Sequence, residues 1–89
     1  MKAVITVTGK DTVGIIADVA SVCAEHGVNI MDITQTVLSD YFAMIMLTNI
    51  DGLNIGFSEF ADQLTALGKK KALDIHTMHE DIFNTMHHV

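Results

Sequence analysis

Apolar residues near the start of the chain recur at every second position. Ala3, Ile5 and Val7 are spaced by Lys2, Val4, Thr6 and Thr8. Period two with β-branched residues predicts a strand over residues 2–8. A polar stretch, Gly9-Lys10-Asp11-Thr12-Val13-Gly14, reads as a loop. The period then changes: Ile15, Ile16, Val19, Val22 and Cys23 follow helical spacing, with Asp18, Ser21 and Glu25 elsewhere. That predicts an amphipathic helix over 14–26, with Gly27 suited to its stop.

Residues 28–38 are rich in β-branched types and predict a second strand. Val28 and Ile30 share one parity while Ile33 and Val37 share the other, which calls for a bulge near Met31–Asp32. Ser39-Asp40 makes a tight turn into a third strand, Tyr41 to Asn49, so the two strands form an antiparallel hairpin. Asp51-Gly52-Leu53-Asn54 reads as a loop able to cap a helix. Phe57, Phe60, Ala61, Leu64 and Leu67 line one face of that helix, and Gly68 is expected to end it. Leu73 and Ile75 alternate with polar neighbours, giving a fourth strand near 71–78. Ile82, Phe83 and Met86 return to helical spacing and predict a short docked helix.

The order β-α-β-β-α-β predicts an α+β fold of ferredoxin-like type: a four-stranded antiparallel sheet with two helices on one face and a short C-terminal helix. We expect one domain over 1–89, with its core in 1–78 and a docking tail over 79–89. One sheet face then lacks a helix. The third strand carries apolar residues on both faces, Phe42, Met44 and Met46 against Ala43, Ile45 and Leu47. The uncovered face, or a strand edge, is expected to meet another copy or a partner.

Composition narrows the function. A domain of 89 residues with nearly half of them apolar has more apolar surface than a small monomer hides easily, so a homo-oligomer is expected. The formal charge is −6, and the chain contains no arginine. Lys69-Lys70-Lys71 is its one cluster of basic residues, and it reads as a solvated turn at a helix C-terminus. Neither nucleic acid nor an anionic membrane is expected as a partner. No apolar run reaches the ~20 residues that span a bilayer. The single cysteine, Cys23, allows no intrachain disulfide, and the first residues read as a strand, not a signal peptide. A cytoplasmic setting is expected.

Candidate chemistry concentrates at the first strand–helix junction. Exposed amides at a helix start attract anions, and Gly9 and Gly14 clear side chains from their neighbourhood. A small carboxylate could sit there, with Lys10 and Asp11 addressing its charged groups. The competing reading is an ordinary turn with Asp11 or Thr12 as helix cap. Asn29 offers donors and an acceptor for a zwitterion, or is simply a polar residue at a strand edge. Asp32 and Gln35 read as solvent or interface positions. The five histidines, His26, His76, His79, His87 and His88, suggest no ligand set within one chain, because His76 and His79 fall on opposite strand faces. A metal or redox carrier built from Cys23 and histidines is the least favoured class. No catalytic triad order, HExxH motif or phosphate loop is present, and no cofactor is implied.

The stretch Val4 to Ile15, followed by Gly27-Val28-Asn29-Ile30, resembles the ACT domain, a regulatory fold of enzymes in amino-acid metabolism. The family pattern is a strand, a short polar loop, a glycine and an aliphatic residue opening a helix. A "GxNI" motif follows, here thirteen positions after Gly14. Asp32-Ile33-Thr34-Gln35-Thr36-Val37, with Tyr41-Phe42, is similar to small stand-alone bacterial ACT proteins. It also resembles the ACT segments of formyltetrahydrofolate deformylase and of the glycine-cleavage repressor. The resemblance implies a non-enzymatic, homodimeric regulatory module that binds a small effector, an amino acid, between subunits and modulates a partner protein. The implied ligand residues are Gly9, Lys10, Asp11, Thr12, Val13 and Gly14 from one subunit, with Asn29 and Ile30 from the other. Gly9 and Asp11 depart from members that place a contacting side chain and an asparagine there. The alternative is an interaction subunit without a ligand, docking through its apolar third strand.

Overall fold

Strand β1 (Lys2–Gly9) occupies the middle of the sheet. It is flanked by β3 (Tyr41–Asn49) and β4 (Asp74–His79), and β2 (Asn29–Leu38) forms the far edge beyond β3. Every neighbouring pair is antiparallel. Helices α1 (Ile15–Glu25) and α2 (Phe57–Lys70) lie on one face, and α3 (Glu80–Met86) follows β4 directly. This computed structural model describes residues 1–10 and 13–86. The architecture is the ferredoxin-like sandwich that the alternating periods predict.

The core lies between the sheet and its two long helices. Ala3, Ile5 and Val7 of β1 are fully buried, as are Met44 and Met46 of β3. Ile15, Val19 and Cys23 of α1 and Phe60 and Leu64 of α2 pack over them. Among the described residues Thr48 is the buried polar exception, and its hydroxyl donates to the Ala3 carbonyl at 2.9 Å. The predicted bulge is present: pairing with β3 slips between Ile30 and Asp32. That extra residue lets Val28, Ile30 and Ile33 all reach the core although their parities differ.

The two helix C-termini close in the same way with different residues. At the end of α1, Gly27 adopts φ 75 and the Val28 amide donates to the Cys23 carbonyl at 2.8 Å. At the end of α2 the corresponding bond runs from the Leu73 amide to the Gly68 carbonyl, also 2.8 Å. Both are Schellman closures, which need one left-handed residue. In α2 that residue is Ala72, at φ 56, and not Gly68. Gly68 lies inside the helix, which continues to Lys70, and it is buried. A Cβ there would sit 2.6 Å from the Leu73 carbonyl oxygen. The glycine permits close packing of α2 on β4 and does not stop the helix. Nor does the Asp51–Asn54 loop cap α2: Gly56 takes the cap position, with no side-chain bond.

The sheet face opposite α1 and α2 is only half covered. Helix α3 crosses it, and Val4 is 2% exposed on that face, while Ile45 remains 40% exposed. His76 faces this side, and His79 faces the other, where it stacks on Phe57 with ring centroids 4.0 Å apart.

Two substitutions should separate the roles of Gly68 and Ala72. Alanine is the better helix former by ~1 kcal/mol, yet Gly68→Ala should destabilise by about 1–3 kcal/mol because backbone blocks the added methyl. Ala72→Gly should stabilise by about 1 kcal/mol by relieving the left-handed strain. Urea unfolding of each variant measures both signs.

Candidate functional site

The β1–α1 connection leaves the sheet at Gly9 and enters α1 at Gly14. Gly9 is fixed by packing: a Cβ there would meet Leu73 Cδ2 at 2.1 Å. A side chain at this position would have to displace the end of the Leu73 side chain. Lys10 is exposed, and its Nζ lies 5.4 Å from the centre of the Tyr41 ring, within cation–π range. Asp11 and Thr12 fall outside the described residues. Val13 is 84% exposed. Gly14 takes the cap position of α1 at φ 76 with open space around it. The first helical bond runs from the Asp18 amide to the Gly14 carbonyl, so the amides of Ile15, Ile16 and Ala17 precede the ladder. The junction thus presents backbone donors, as an anion site requires.

Asn29 opens β2 and is exposed, while Ile30 is half-buried and packs against the core. Asn29 pairs with Asn49, which pairs in turn with Lys2. Gly9 pairs with Phe42, seven residues further along β1. At the ~3.3 Å rise of a strand, the two halves of the expected site lie about 23 Å apart in one chain. A single protomer does not bring them together.

The Asn29 end is tightly held. The Asn54 amide donates to the His26 carbonyl at 3.1 Å, and Asn54 Nδ2 donates to the Glu25 carbonyl at 3.3 Å. Asn54 Oδ1 lies 3.0 Å from His26 Nδ1, and His26 Nε2 lies 2.9 Å from Gln63 Oε1. Gly27 and Gly52 cross so closely that a Cβ on Gly27 would stand 2.3 Å from the Gly52 carbonyl oxygen. The Met1 ammonium pairs with Asp51 at the same end, which holds that carboxyl below its ordinary range.

At the loop end, Thr8, Lys10, Tyr41, Lys71 and Asp74 surround a shallow cavity of about 380 Å3. Lys71 Nζ also bridges to Asp18 Oδ2 at 2.9 Å. Sequence reasoning missed Tyr41 and Lys71. Tertiary placement carries them here, Tyr41 by starting β3 and Lys71 by capping the C-terminus of α2. Among the described residues no group of three or more His, Cys, Asp or Glu side chains is placed to hold a metal, and no helix is long and apolar enough to cross a membrane.

The sequence profile of the ACT domain matches residues 2–78. The chain belongs to the ACT family. A UPF0237 protein of Clostridium acetobutylicum is 48% identical over 89 residues, covering 100% of both chains. The solved structure of an ACT domain protein from Streptococcus pneumoniae superposes with a TM-score of 0.79 at 41% identity, covering 93% of each chain. A formyltetrahydrofolate deformylase from Pseudomonas syringae pv. tomato superposes with a TM-score of 0.76 at 22% identity. That match covers 88% of this chain and 27% of the deformylase, and it is a likeness of fold. ACT domains are in general regulatory, ligand-binding modules, not catalysts, which agrees with the expectation from the β1–α1 loop and the GxNI motif.

Cys23 lies in the core of α1, and burial pushes its thiol from 9.0 up to about 11. The folded state therefore keeps the proton that the unfolded chain loses first. The stability this contributes is complete below pH 9 and disappears as pH rises towards about 11. Urea midpoints of wild type and Cys23→Ala, compared from pH 7 upward, should differ by a constant amount and then converge above about pH 9.

Proposed function

We propose that the protein is a cytoplasmic homodimer that binds a small amino acid between subunits and passes the binding state to a partner protein. The observation that carries this reading is the separation of the glycine-bracketed loop from Asn29 within one chain. Strands β1 and β2 run in the same direction, so the two features sit at opposite ends of the sheet. Antiparallel pairing of β2 with β2 of a second copy would bring Asn29 of the partner subunit to the loop end. Edge strand β2 favours such pairing, since its outer backbone groups lack a neighbouring strand and Met31 and Val37 are 48% and 69% exposed.

In this arrangement the effector's carboxylate rests on the amides following Gly14, and Lys10 adds positive charge. Asn29 of the partner subunit grips the ligand from the other side, and Asp11 addresses the ammonium. Gly9, Val13 and Ile30 shape the site through backbone and packing, and Thr12 belongs to the same loop. Ligand binding then stabilises the dimer, or one of its geometries, by differential affinity. The partner protein reads that change. The chain itself carries no catalytic role in this reading, and one unpaired, buried cysteine suits a reducing compartment.

Thermal denaturation with a panel of amino acids tests the reading. An effector at 100 times its dissociation constant should add about 2.7 kcal/mol. Gly14→Asp and Asn29→Ala should each abolish the response. Mixing the two variants should restore about a quarter of the sites, because heterodimers keep one intact half-pair. A monomer in sedimentation, or no stabilisation by any amino acid, would overturn the reading.

A further inference from the structure

The half of the open face that α3 leaves bare holds a cavity of about 430 Å3 between β1, β3, β4 and the last turn of α3. Four of its lining residues carry thioether or imidazole donors: His76, Met78 and Met86, with Met44, which is wholly buried in the core. His76 and Met78 stand two apart on β4, which directs both to the same face. Met86, at the end of α3, lines the same cavity. The His76 imidazole is exposed and has no partner among the described residues. No carboxylate lines this cavity, and its remaining walls, including Ala43 and Ile45, are mainly apolar.

Thioether sulfur and imidazole in apolar surroundings select soft d10 ions and reject Mg2+ and Ca2+, which need several oxygen ligands. Thioether ligands carry no charge, so they leave a bound monovalent cation its own. A chain of formal charge −6 favours a cation over an anion at such a place. We propose that His76, Met78 and Met86 form a binding site for a soft monovalent cation, Cu(I) being the biological ion of that class. The site joins β4 to α3, so occupancy would pin the short helix onto the sheet. It uses none of the residues assigned to the amino-acid effector, and the two readings stand or fall separately.

Ag(I), a redox-stable probe with the same ligand preference, tests the site in the full chain. Native mass spectrometry should show a one-to-one complex. In methyl NMR the Cε signals of Met78 and Met86 should move while that of the core residue Met46 stays. Met78→Leu and Met86→Leu conserve volume and should each weaken binding by roughly tenfold or more without loss of fold. His76→Gln should do the same. Cys23→Ala should bind as well as wild type, and so should the double variant His87→Gln, His88→Gln. Loss of binding in either control, with the Met78 signal unmoved, would place the ion on the thiol or the terminal imidazoles and overturn the proposal. Absence of any Ag(I) complex would also overturn it.

Discussion

The burial of one face of β1 governs the rest of the molecule. Ala3, Ile5 and Val7 are removed from water by α1 and α2 above them, and β3 and β4 use both backbone edges of the strand. With its edges occupied, β1 cannot sit at a border, so β2 is displaced to the outside beyond β3. The direction of β2 then follows from two antiparallel steps, which make it run alongside β1 in the same sense. The separation of the Gly9–Gly14 bend from Asn29 is therefore a topological consequence of packing the central strand. A ligand that needs both features needs a second molecule.

Much of this was legible in the residues because the signals were local. The change from period two to helical spacing located β1, α1 and α2. The parity switch between Ile30 and Ile33 located the bulge, since only an inserted residue lets both reach the same core. Gly27 at the end of α1 suits its left-handed conformation, and its position gave the stop. The second helix was harder because its glycine and its left-handed residue are different residues. Gly68 answers to Leu73, just before β4, and to Ile75 within it, while Ala72 carries the turn without any compositional mark. Gly9 has the same kind of remote neighbour: a Cβ there would meet Leu73. Asn54, read as part of a capping loop, closes on Glu25 and His26, a pairing across 28 positions that no window along the chain displays.

The open face shows how one strand serves two surfaces. In β3, Met44 and Met46 are wholly buried while Ile45 between them remains 40% exposed. Helix α3 shields the half around Val4 and Leu47 and stops short of the half around Thr6 and Ala43. The apolar surplus that suggested a docking face is thereby divided. One part is met within the chain, and the other lies beside Met78, Met86 and an imidazole.

The crossing of Gly27 over Gly52 sets where this scaffold accepts engineering. Neither glycine can carry a methyl without striking the other turn's carbonyl oxygen, and the His26–Asn54 clasp locks both turns in place. Lengthening either connection would spread the clasp and shift the root of β2. The hairpin at Ser39-Asp40 is exposed at the opposite end and free of such interlocking. It is the natural place to graft a loop, a fluorophore or a circular-permutation break while leaving the Asn29 end intact.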